Sequence, residues 1–565
     1  MPYRAPLADF RLLLDLTGFV EVAATERFAD ATPETVEAIL SEAGKLCENT
    51  LAPLNRAGDK TAARLENGVV RTPAGFVEGY REIASGGWVG ISADPAYGGM
   101  GLPIALASCV NDMMGSACLA LQLNPLLTQG QIEALEHHAS DALKAIYLPK
   151  LISGEWNGTM NLTEPQAGSD VGALRTKAEP LGDGSYAITG QKIYITWGDN
   201  DTNANVSHLV LARIVGAAAG TKGISLFLVP KIIPDAQGNL GARNSLNVVS
   251  LEHKLGLHGS PTAVMQFDAA QGWLVGEENK GMAAMFTMMN NARLAVGMQG
   301  VAIAEAATQT AVAYAMGRTQ GKTPLGNGAI IDHADVRRML GQMRSETFAA
   351  RAIGLACAVA IDMGRATNAP EWQARAALLT PIAKAYGTDI GNEVAYIGVQ
   401  VHGGMGFIEE TGAAQYSRDV RVTSIYEGTN GIQAMDLVAR KMMDGGEAAY
   451  RLIDEVEAAA EASRSSQPAL ATALWNASEA LREATEALVG QDLNDRFAGS
   501  VAYLRAFARV LGAHYHLQAG LADPARLPLA AFYITRLLPE YAPLLAQSRE
   551  GAAGLYALTP EALLA

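Results

Sequence analysis

The stretch Lys192-Ile193-Tyr194-Ile195-Thr196-Trp197 decides how this chain is organised, because it is rich in β-branched and aromatic residues. Three comparable runs lie near it, bounded by Gly, Asp or Pro: Tyr186–Thr189, His208–Leu211 and Ile224–Val229. Short runs of this composition between turn residues are typical of β-strands. They predict a small β-domain over residues 160–280.

Helical segments flank this β-domain on both sides. Before it, apolar residues recur at helical spacing, as in Val36, Ile39 and Leu40. After it come long segments rich in Ala, Met and Leu, such as Met282–Met316, whose lengths suit the helices of an up-and-down bundle. The predicted fold class is α+β, mostly α, with an N-terminal helical domain (1–159), a middle β-domain (160–280), a helical bundle domain (281–444) and an additional C-terminal helical domain (445–565).

The composition is that of a globular protein, with 565 residues, 49% hydrophobic and 18% charged. The 43 Lys and Arg against 58 Asp and Glu give a net charge of −15, and no cationic run is present. Nucleic acid is therefore not an expected partner, because phosphate contacts need clustered cations. The four cysteines lack C-x-x-C spacing, which predicts reduced core thiols and a cytoplasmic protein.

One apolar segment, Met113–Ile132, has no charges but contains Asn124, Pro125 and three glutamines. These residues favour a buried helix over a membrane span. The first residues, Met1–Leu16, mix arginines and aspartates with apolar residues, which is not the pattern of a signal peptide. We expect no membrane span.

Four short motifs carry candidate site residues. The loop 161–170 (NLTEPQAGSD) offers hydroxyl groups and a glycine that lets a ligand approach the backbone. Tyr194 and Thr196 fall on one face of the predicted strand, because side chains alternate. The helix end 400–407 (QVHGGMGF) is glycine-rich but lacks G-x-G-x-x-G spacing, and the loop 425–433 (IYEGTNGIQ) places a glutamate where a helix begins. Each motif alone is more often structural than functional.

In this order and on this helix–β–helix layout, the four motifs together resemble the acyl-CoA dehydrogenase family. Further matches are 94–101 (DPAYGGMG), 274–281 (LVGEENKG) and Arg418-Asp419, so the resemblance covers residues 30–445. It implies the family fold of an N-terminal helical domain, a middle β-domain and a C-terminal four-helix bundle. It also implies FAD as cofactor and α,β-dehydrogenation of an acyl-CoA thioester to the trans-2-enoyl-CoA.

The resemblance implies that FAD lies between the β-domain and the bundle, with each subunit of a dimer contributing to its partner's cofactor. Thr163 and Ser169 are expected to contact flavin and phosphate, and Thr196 to hydrogen-bond near flavin N5. Arg318 and Gln320 are expected to grip the neighbouring subunit's pyrophosphate. The full set expected to bind FAD is Met160, Leu162, Thr163, Gly168, Ser169, Tyr194, Thr196, Arg318, Gln320, Gln400, Gly403, Gly404 and Thr429.

Glu427 matches the family's catalytic base, which removes the α proton while hydride leaves the β carbon for flavin N5. The family polarises the thioester carbonyl with the backbone N–H of this glutamate and a ribityl hydroxyl of FAD, an oxyanion-hole arrangement. Desolvation is expected to raise the pKa of Glu427 toward neutrality, where a base works best.

Some family members carry the base instead on the helix that corresponds to residues 288–294, where this chain has no carboxylate. Asn290 and Arg293 are therefore candidates for CoA or acyl-end contacts, with a structural salt bridge as the alternative for Arg293. The expected substrate-binding set is Ser169, Asn290, Arg293, Tyr426 and Gly428. No metal site is expected.

The C-terminal extension resembles that of a long bacterial subgroup of the family. Within that subgroup, segments 252–262 and 288–300 favour 3-(methylthio)propanoyl-CoA as substrate, in a pocket that draws on Met113–Leu127 and Met282–Met289. The alternatives are a short- or medium-chain fatty or arylalkanoyl-CoA dehydrogenase, an acyl-CoA oxidase, and a non-catalytic, flavin-free assembly protein. The expected partners are electron-transfer flavoprotein as electron acceptor and a second copy of the chain in a homodimer or higher homo-oligomer.

Overall fold

The computed structural model of the chain describes residues 3–326 and 328–565, apart from the side chains of Asn290 and Asn291. Helices occupy both ends of the chain and a β-domain lies between them, so the α+β, mostly α class is confirmed. The elements before the β-domain are α1 (Leu7–Leu16), α2 (Phe19–Ala23), α3 (Pro33–Leu46), α4 (Ala52–Lys60), the hairpin β1 (Arg64–Glu66) and β2 (Val69–Arg71), α5 (Phe76–Ser85), α6 (Ile104–His138) and α7 (Asp141–Ile152).

The helix α6 folds back on itself. Cys118 has non-helical angles (φ −158°, ψ 86°) and breaks the helix there. Asn111 and Gln129 would be roughly 27 Å apart along a straight helix, yet Asn111 Nδ2 donates to Gln129 Oε1 at 3.0 Å. The two halves of α6 therefore lie side by side, with polar groups facing each other between them.

Two of the described helices, α6 and Ala334–Thr367, are long and apolar enough to cross a membrane by length and composition. In α6, 89% of the most apolar window is buried inside the fold, and in the second helix 94%. The buried helix predicted for Met113–Ile132 is confirmed as part of α6.

The β-domain closes on itself. Its strands are β3 (Trp156–Asn161), β4 (Lys177–Pro180), β5 (Ser185–Thr196), β6 (Asn205–Ile214), β7 (Ile224–Pro230), β8 (Ile232–Pro234), β9 (Leu240–Arg243), β10 (Leu246–Leu251) and β11 (Thr262–Val275). Successive hydrogen-bonded pairs run β11-β5-β4-β6-β7 and return to β11, which makes a small barrel. β10 and β3 extend the same sheet along β11 and β6, and β8–β9 is a separate hairpin. Ile188, Val210, Phe227 and Phe267 fill its interior.

The strand β5 differs from the sequence-based expectation in one respect. We predicted two short runs, 186–189 and 192–197, whereas the structure has one strand, Ser185–Thr196. The strand runs unbroken because its residues pair with β11 along most of its length, so tertiary pairing extends it through the glycine at 190.

The bundle consists of α8 (Gly281–Gly317), α9 (Ala334–Thr367) and α10 (Pro370–His402), followed by the short helices α11 (Ala413–Val420) and α12 (Asn430–Val438). The backbones of α8 and α10 touch, since a Cβ on Gly297 or Gly300 would collide with backbone atoms of Ala383 or Gly387. This close crossing brings the middle of α10 against the first half of α8, which is where the candidate site lies.

The C-terminal helices are α13 (Glu447–Ser463), α14 (Pro468–Val489), α15 (Leu493–Ala522), α16 (Leu527–Arg536), α17 (Tyr541–Ser548), α18 (Ala553–Tyr556) and α19 (Pro560–Leu564). They dock on the bundle through a buried ion pair, in which Arg509 of α15 bonds Glu346 of α9 at 2.6 Å. Tyr386 of α10 donates to the same carboxylate at 2.7 Å. The predicted extra helical region is thus attached to α9 and α10.

Candidate active site

Glu427 lies on a tight loop between a 3-10 turn, Arg421–Ser424, and the start of α12. Its φ is +56° and that of Gly428 is +84°. A left-handed conformation is unfavourable for a side chain such as glutamate and persists only where the surroundings impose it. The loop conformation therefore depends on contacts from other elements.

Those contacts come mainly from α10. The ammonium group of Lys384, which is 0% exposed, donates to the carbonyl of Gly428 and to Asn430 Oδ1, each at 2.8 Å. The Asn430 amide donates in turn to Asp389 Oδ1 at 2.6 Å. Together these bonds fix the loop on the C-terminal side of Glu427.

The electrostatic surroundings of Glu427 suit a base. Burial raises its pKa to about 7, and the nearby cations Arg293 and Lys384 act in the opposite direction. Burial also lowers the pKa of Lys384 to about 8. The direction agrees with the desolvation expected from the sequence. By accessible surface the residue is only half-buried, so one side of it remains open.

Arg293 of α8 is buried and forms an ion pair with Asp436 of α12, Nη1 to Oδ2 at 3.5 Å. The salt bridge that we gave as the alternative for this arginine is present. Its Nε has no hydrogen-bond partner in the described part of the chain, so the guanidinium keeps a donor for a ligand. The side chain of Asn290, the other candidate on α8, lies outside the described residues.

The loop after β3 carries Leu162, Thr163, Gly168 and Ser169, and Glu164 holds its shape. One oxygen of Glu164 accepts from Lys192 Nζ at 2.8 Å and from Thr176 Oγ1 at 2.6 Å. Although burial acts to raise its pKa, Lys192 and these hydrogen bonds lower it to about 2. The loop is also tied to β5, because Ile193 N donates to the Thr163 carbonyl at 2.9 Å.

A β-bulge turns Tyr194 outward. Ile193 and Tyr194 together face the single residue Val264 of β11, and Tyr194 has a φ of +61°. Lys192 and Ile195 are consequently both buried although they are three residues apart. Tyr194 is 62% exposed, beside the half-buried Thr196. Simple strand alternation did not predict the bulge.

The first group of predicted cofactor residues lies on β3, on the loop after it and on β5, and one hydrogen bond joins that loop to β5. Gly168 and Ser169 are exposed, and a Cβ on Gly168 would meet nothing within 4 Å. Met160 of β3 is half-buried beside them in the chain. Open space, hydroxyl groups and an exposed aromatic ring fit a flat, phosphate-bearing ligand.

The second group lies elsewhere, at the far ends of α8 and α10. Arg318, Gln320, Gln400, Gly403 and Gly404 are all exposed. Tyr314 and His402 stack with ring centroids 4.3 Å apart and hold the two helix ends together. Along α8, Arg318 is roughly 37 Å from Arg293, so one chain does not bring this group to its own Glu427.

Two further predicted residues flank the base. Thr429 accepts from Ile432 N at 3.4 Å through its hydroxyl and so caps α12. Tyr426 is partly buried, and its hydroxyl donates to Gln299 Oε1 of α8. Lys384 and Gln299 were not predicted from sequence. A lone lysine within the apolar segment Ala374–Val401 was the signal that could have identified the first of them.

No group of three or more His, Cys, Asp or Glu suited to a metal ion occurs among the residues that the structure describes. The four cysteines are free and buried.

Comparison with known protein families identifies the family to which the chain belongs. The acyl-CoA dehydrogenase N-terminal, middle and C-terminal domains match residues 33–155, 159–270 and 279–443, and an acetyl-CoA dehydrogenase C-terminal-like domain matches residues 452–559. The chain belongs to the acyl-CoA dehydrogenase family and is an FAD-dependent enzyme.

The chain is also similar to individual members of this family. The chain is 46% identical over 519 residues to 3-methylmercaptopropionyl-CoA dehydrogenase of Ruegeria pomeroyi, covering 89% of this chain and 88% of that protein. It is 34% identical to the broad-specificity linear acyl-CoA dehydrogenase FadE5 of Mycobacterium tuberculosis, over 76% of this chain and 74% of that one. The fold is similar to that of an acyl-CoA dehydrogenase from Bacillus anthracis solved with FAD, with a TM-score of 0.75 at 19% identity, over 95% of this chain and 92% of that one.

Proposed function

We propose that the chain oxidises an acyl-CoA thioester to the trans-2-enoyl-CoA, with Glu427 as the base. The observation that carries this proposal is the Glu427 loop. The carbonyl of the next residue, Gly428, is held by Lys384, the glutamate is half-buried, and burial raises its pKa to about 7. A base with a pKa near the working pH combines availability with proton affinity.

Glu427, Arg293 and Lys384 each have a role in the proposed reaction. The Glu427 carboxylate takes the proton from the α carbon, and its backbone N–H donates to the thioester carbonyl oxygen. Arg293 and Lys384 keep enough of the carboxylate ionised, because their positive charges act against its desolvation. FAD, when bound, supplies the acceptor for the hydride that leaves the β carbon.

The residues of the β-domain surface would hold the flavin end of FAD, with Thr196 near N5 and Ser169 near the phosphates. Arg318 and Gln400 would reach the pyrophosphate of a second copy, since both are exposed and far from their own Glu427. An arginine fork matches phosphate oxygens well. The active unit that we propose is therefore a homodimer or a higher homo-oligomer.

The substrate that we propose is 3-(methylthio)propanoyl-CoA. The 46% identity to the Ruegeria pomeroyi enzyme over most of both chains supports it. The 34% identity to FadE5 leaves short- or medium-chain fatty acyl-CoA as the alternative. We further propose electron-transfer flavoprotein as the acceptor of the electrons and the cytoplasm as the location, which suits the free, buried cysteines.

Anaerobic titration of the purified flavoprotein with a panel of acyl-CoA thioesters tests the proposal. We expect 3-(methylthio)propanoyl-CoA to bleach the flavin band at the lowest concentration, with the enoyl-CoA as product. In a separate assay under air, hydrogen peroxide formed at the rate of substrate oxidation would instead identify an oxidase. A protein that takes up no flavin, or that no acyl-CoA bleaches, would be an assembly protein.

A further inference from the structure

A directed series of hydrogen bonds runs from the residue beside the base into the N-terminal helices. Tyr426 OH donates to Gln299 Oε1. Each side-chain amide then donates to the next, Gln299 to Gln122 at 3.5 Å, Gln122 to Asn111 at 3.4 Å, and Asn111 to Gln129 at 3.0 Å. The last amide, that of Gln129, donates to the backbone carbonyl of Trp88 at 3.0 Å. We call Gln299, Gln122, Asn111 and Gln129 the amide chain.

The amide chain lies in an apolar part of the molecule. Gln299 and Gln122 are 2% and 1% exposed, and Gln299 directly follows the buried Met298 in α8. Asn111 and Gln129 are half-buried. Buried side-chain amides are costly unless they are hydrogen-bonded. Two fully buried amides in one hydrogen-bonded row are therefore not explained by packing alone.

The amide chain also has unused donors. A primary amide carries two N–H hydrogens, and the bonds within the described residues use one from each amide. The second hydrogen of each is available to another acceptor. A ligand that reaches the row meets these hydrogen-bond donors.

The position of the row points to the acyl group. It begins at Tyr426, next to Glu427, and crosses from α8 to α6. Its far members, Asn111 and Gln129, line a small cleft, partly open to solvent, between the two halves of α6 and α8. Leu294 lines the same cleft and directly follows Arg293, which lies close to the base. The row therefore joins the residue beside Glu427 to this cleft in the N-terminal helices.

We propose that the amide chain forms a polar floor of the acyl pocket and selects acyl groups with a hydrogen-bond-accepting heteroatom near their distal end over hydrocarbon tails of equal length. This inference rests on the proposed function. A hydrocarbon tail covers the free N–H hydrogens without giving them a partner, whereas a thioether sulfur is a weak acceptor and an ether oxygen a stronger one. Sites built to hydrogen-bond a ligand discriminate against analogues that lack the partner.

The test compares two substrates with the same number of chain atoms, 3-(methylthio)propanoyl-CoA and pentanoyl-CoA. Their kcat/KM ratio is measured for the wild-type holoenzyme and for Gln122→Leu and Gln299→Leu. We expect the preference for the thioether substrate to fall about three- to tenfold in each variant. Comparing ratios between variants cancels the different intrinsic reactivity of the two substrates.

Gln373→Leu is the matched control, because it makes the same chemical change at an exposed position in the first turns of α10. Its substrate ratio is expected to equal that of the wild type. Thermal unfolding and flavin content establish that each variant is folded. Gln122→Met, which nearly conserves volume, replaces Gln122→Leu if the leucine variant does not fold.

The possible outcomes separate the two proposals. A wild type that oxidises both substrates, with an unchanged ratio in the Gln122 and Gln299 variants, overturns the polar floor and leaves the dehydrogenase proposal intact. A wild type that oxidises octanoyl-CoA better than either five-atom substrate also overturns the polar floor. A wild-type flavin that no acyl-CoA reduces overturns both.

Discussion

The loop that carries Glu427 and the paired ends of α8 and α10 differ in how their polar groups are satisfied. Around Glu427, buried side chains from α8, α10 and α12 bond one another and fix a strained backbone. At the helix ends, Arg318, Gln400, Gly403 and their neighbours point into solvent, together with Phe407, which is 86% exposed. The surroundings of the proposed base thus come from one chain, whereas the exposed charges and apolar surface of the helix ends are available to the second copy that we propose.

The largest effect is expected for the base itself. Glu427→Gln keeps the shape of the side chain but removes the proton acceptor, so flavin reduction by acyl-CoA should slow by about 10³-fold. FAD content should stay at the wild-type level, because Glu427 is not among the residues expected to hold it. Stopped-flow reduction under anaerobic conditions measures this rate. Wild-type rates in this variant would refute the assignment of the base.

The second effect tests whether the loop really depends on α10. Lys384→Met removes the donors to Gly428 and Asn430, and a misplaced base is expected to lower kcat about 10- to 100-fold. Lys222→Met, on the exposed turn before β7, is the control. An unchanged kcat in Lys384→Met would show that the loop holds its conformation without this lysine.

The third effect concerns pH. Because burial raises the pKa of Glu427 to about 7, the carboxyl is mostly protonated below that pH, and kcat/KM should be about tenfold lower at pH 6 than on its plateau. The same shift makes the free energy of unfolding depend on pH. A carboxyl group whose pKa is higher in the folded than in the unfolded state destabilises the folded protein progressively as the pH rises from 4.5 through 7. Glu427→Gln should therefore be more stable than wild type at pH 8 and nearly equal to it at pH 4. A rate independent of pH between 6 and 8 contradicts this.

The smallest effect is expected at the helix ends. Arg318→Ala should weaken FAD binding about three- to tenfold, measured by equilibrium dialysis, while the rate of flavin reduction in the FAD-loaded fraction stays unchanged. If Arg318→Ala instead slows flavin reduction as much as Lys384→Met lowers kcat, the proposed difference between the two regions is wrong.

A mixture of the Glu427→Gln and Arg318→Ala variants tests whether Arg318 serves the FAD of its own subunit or that of the partner. In a hybrid of Glu427→Gln and Arg318→Ala subunits, one of the two sites combines an intact Glu427 with the partner subunit's Arg318. Refolding the two variants together should give an active site with wild-type FAD affinity, measured from the dependence of turnover on FAD concentration. Turnover that needs as much FAD as the Arg318→Ala variant alone would place Arg318 in its own chain's site.

Much of this molecule was predictable because its signals are local. The long helical segments, the β-rich region and the glycine pair before α13 follow from periodicity and turn residues, and the family motifs pointed to Glu427. The bulge at Tyr194 was not predictable, since it arises from the pairing of β5 with β11. The role of Lys384 was missed for the same reason, because its partners Gly428 and Asn430 are more than forty residues further along the chain.

The amino-acid sequence alone determined the order of helical and β-regions, the family and the residue that we propose as base, because these depend on composition, spacing and motif. Only the tertiary structure decided which buried groups surround that base and that the row of amides leads from it to the N-terminal helices. The physical reason is that desolvation and hydrogen bonding act between atoms within a few ångströms of each other, and the fold brings such atoms together from helices that are distant in the sequence.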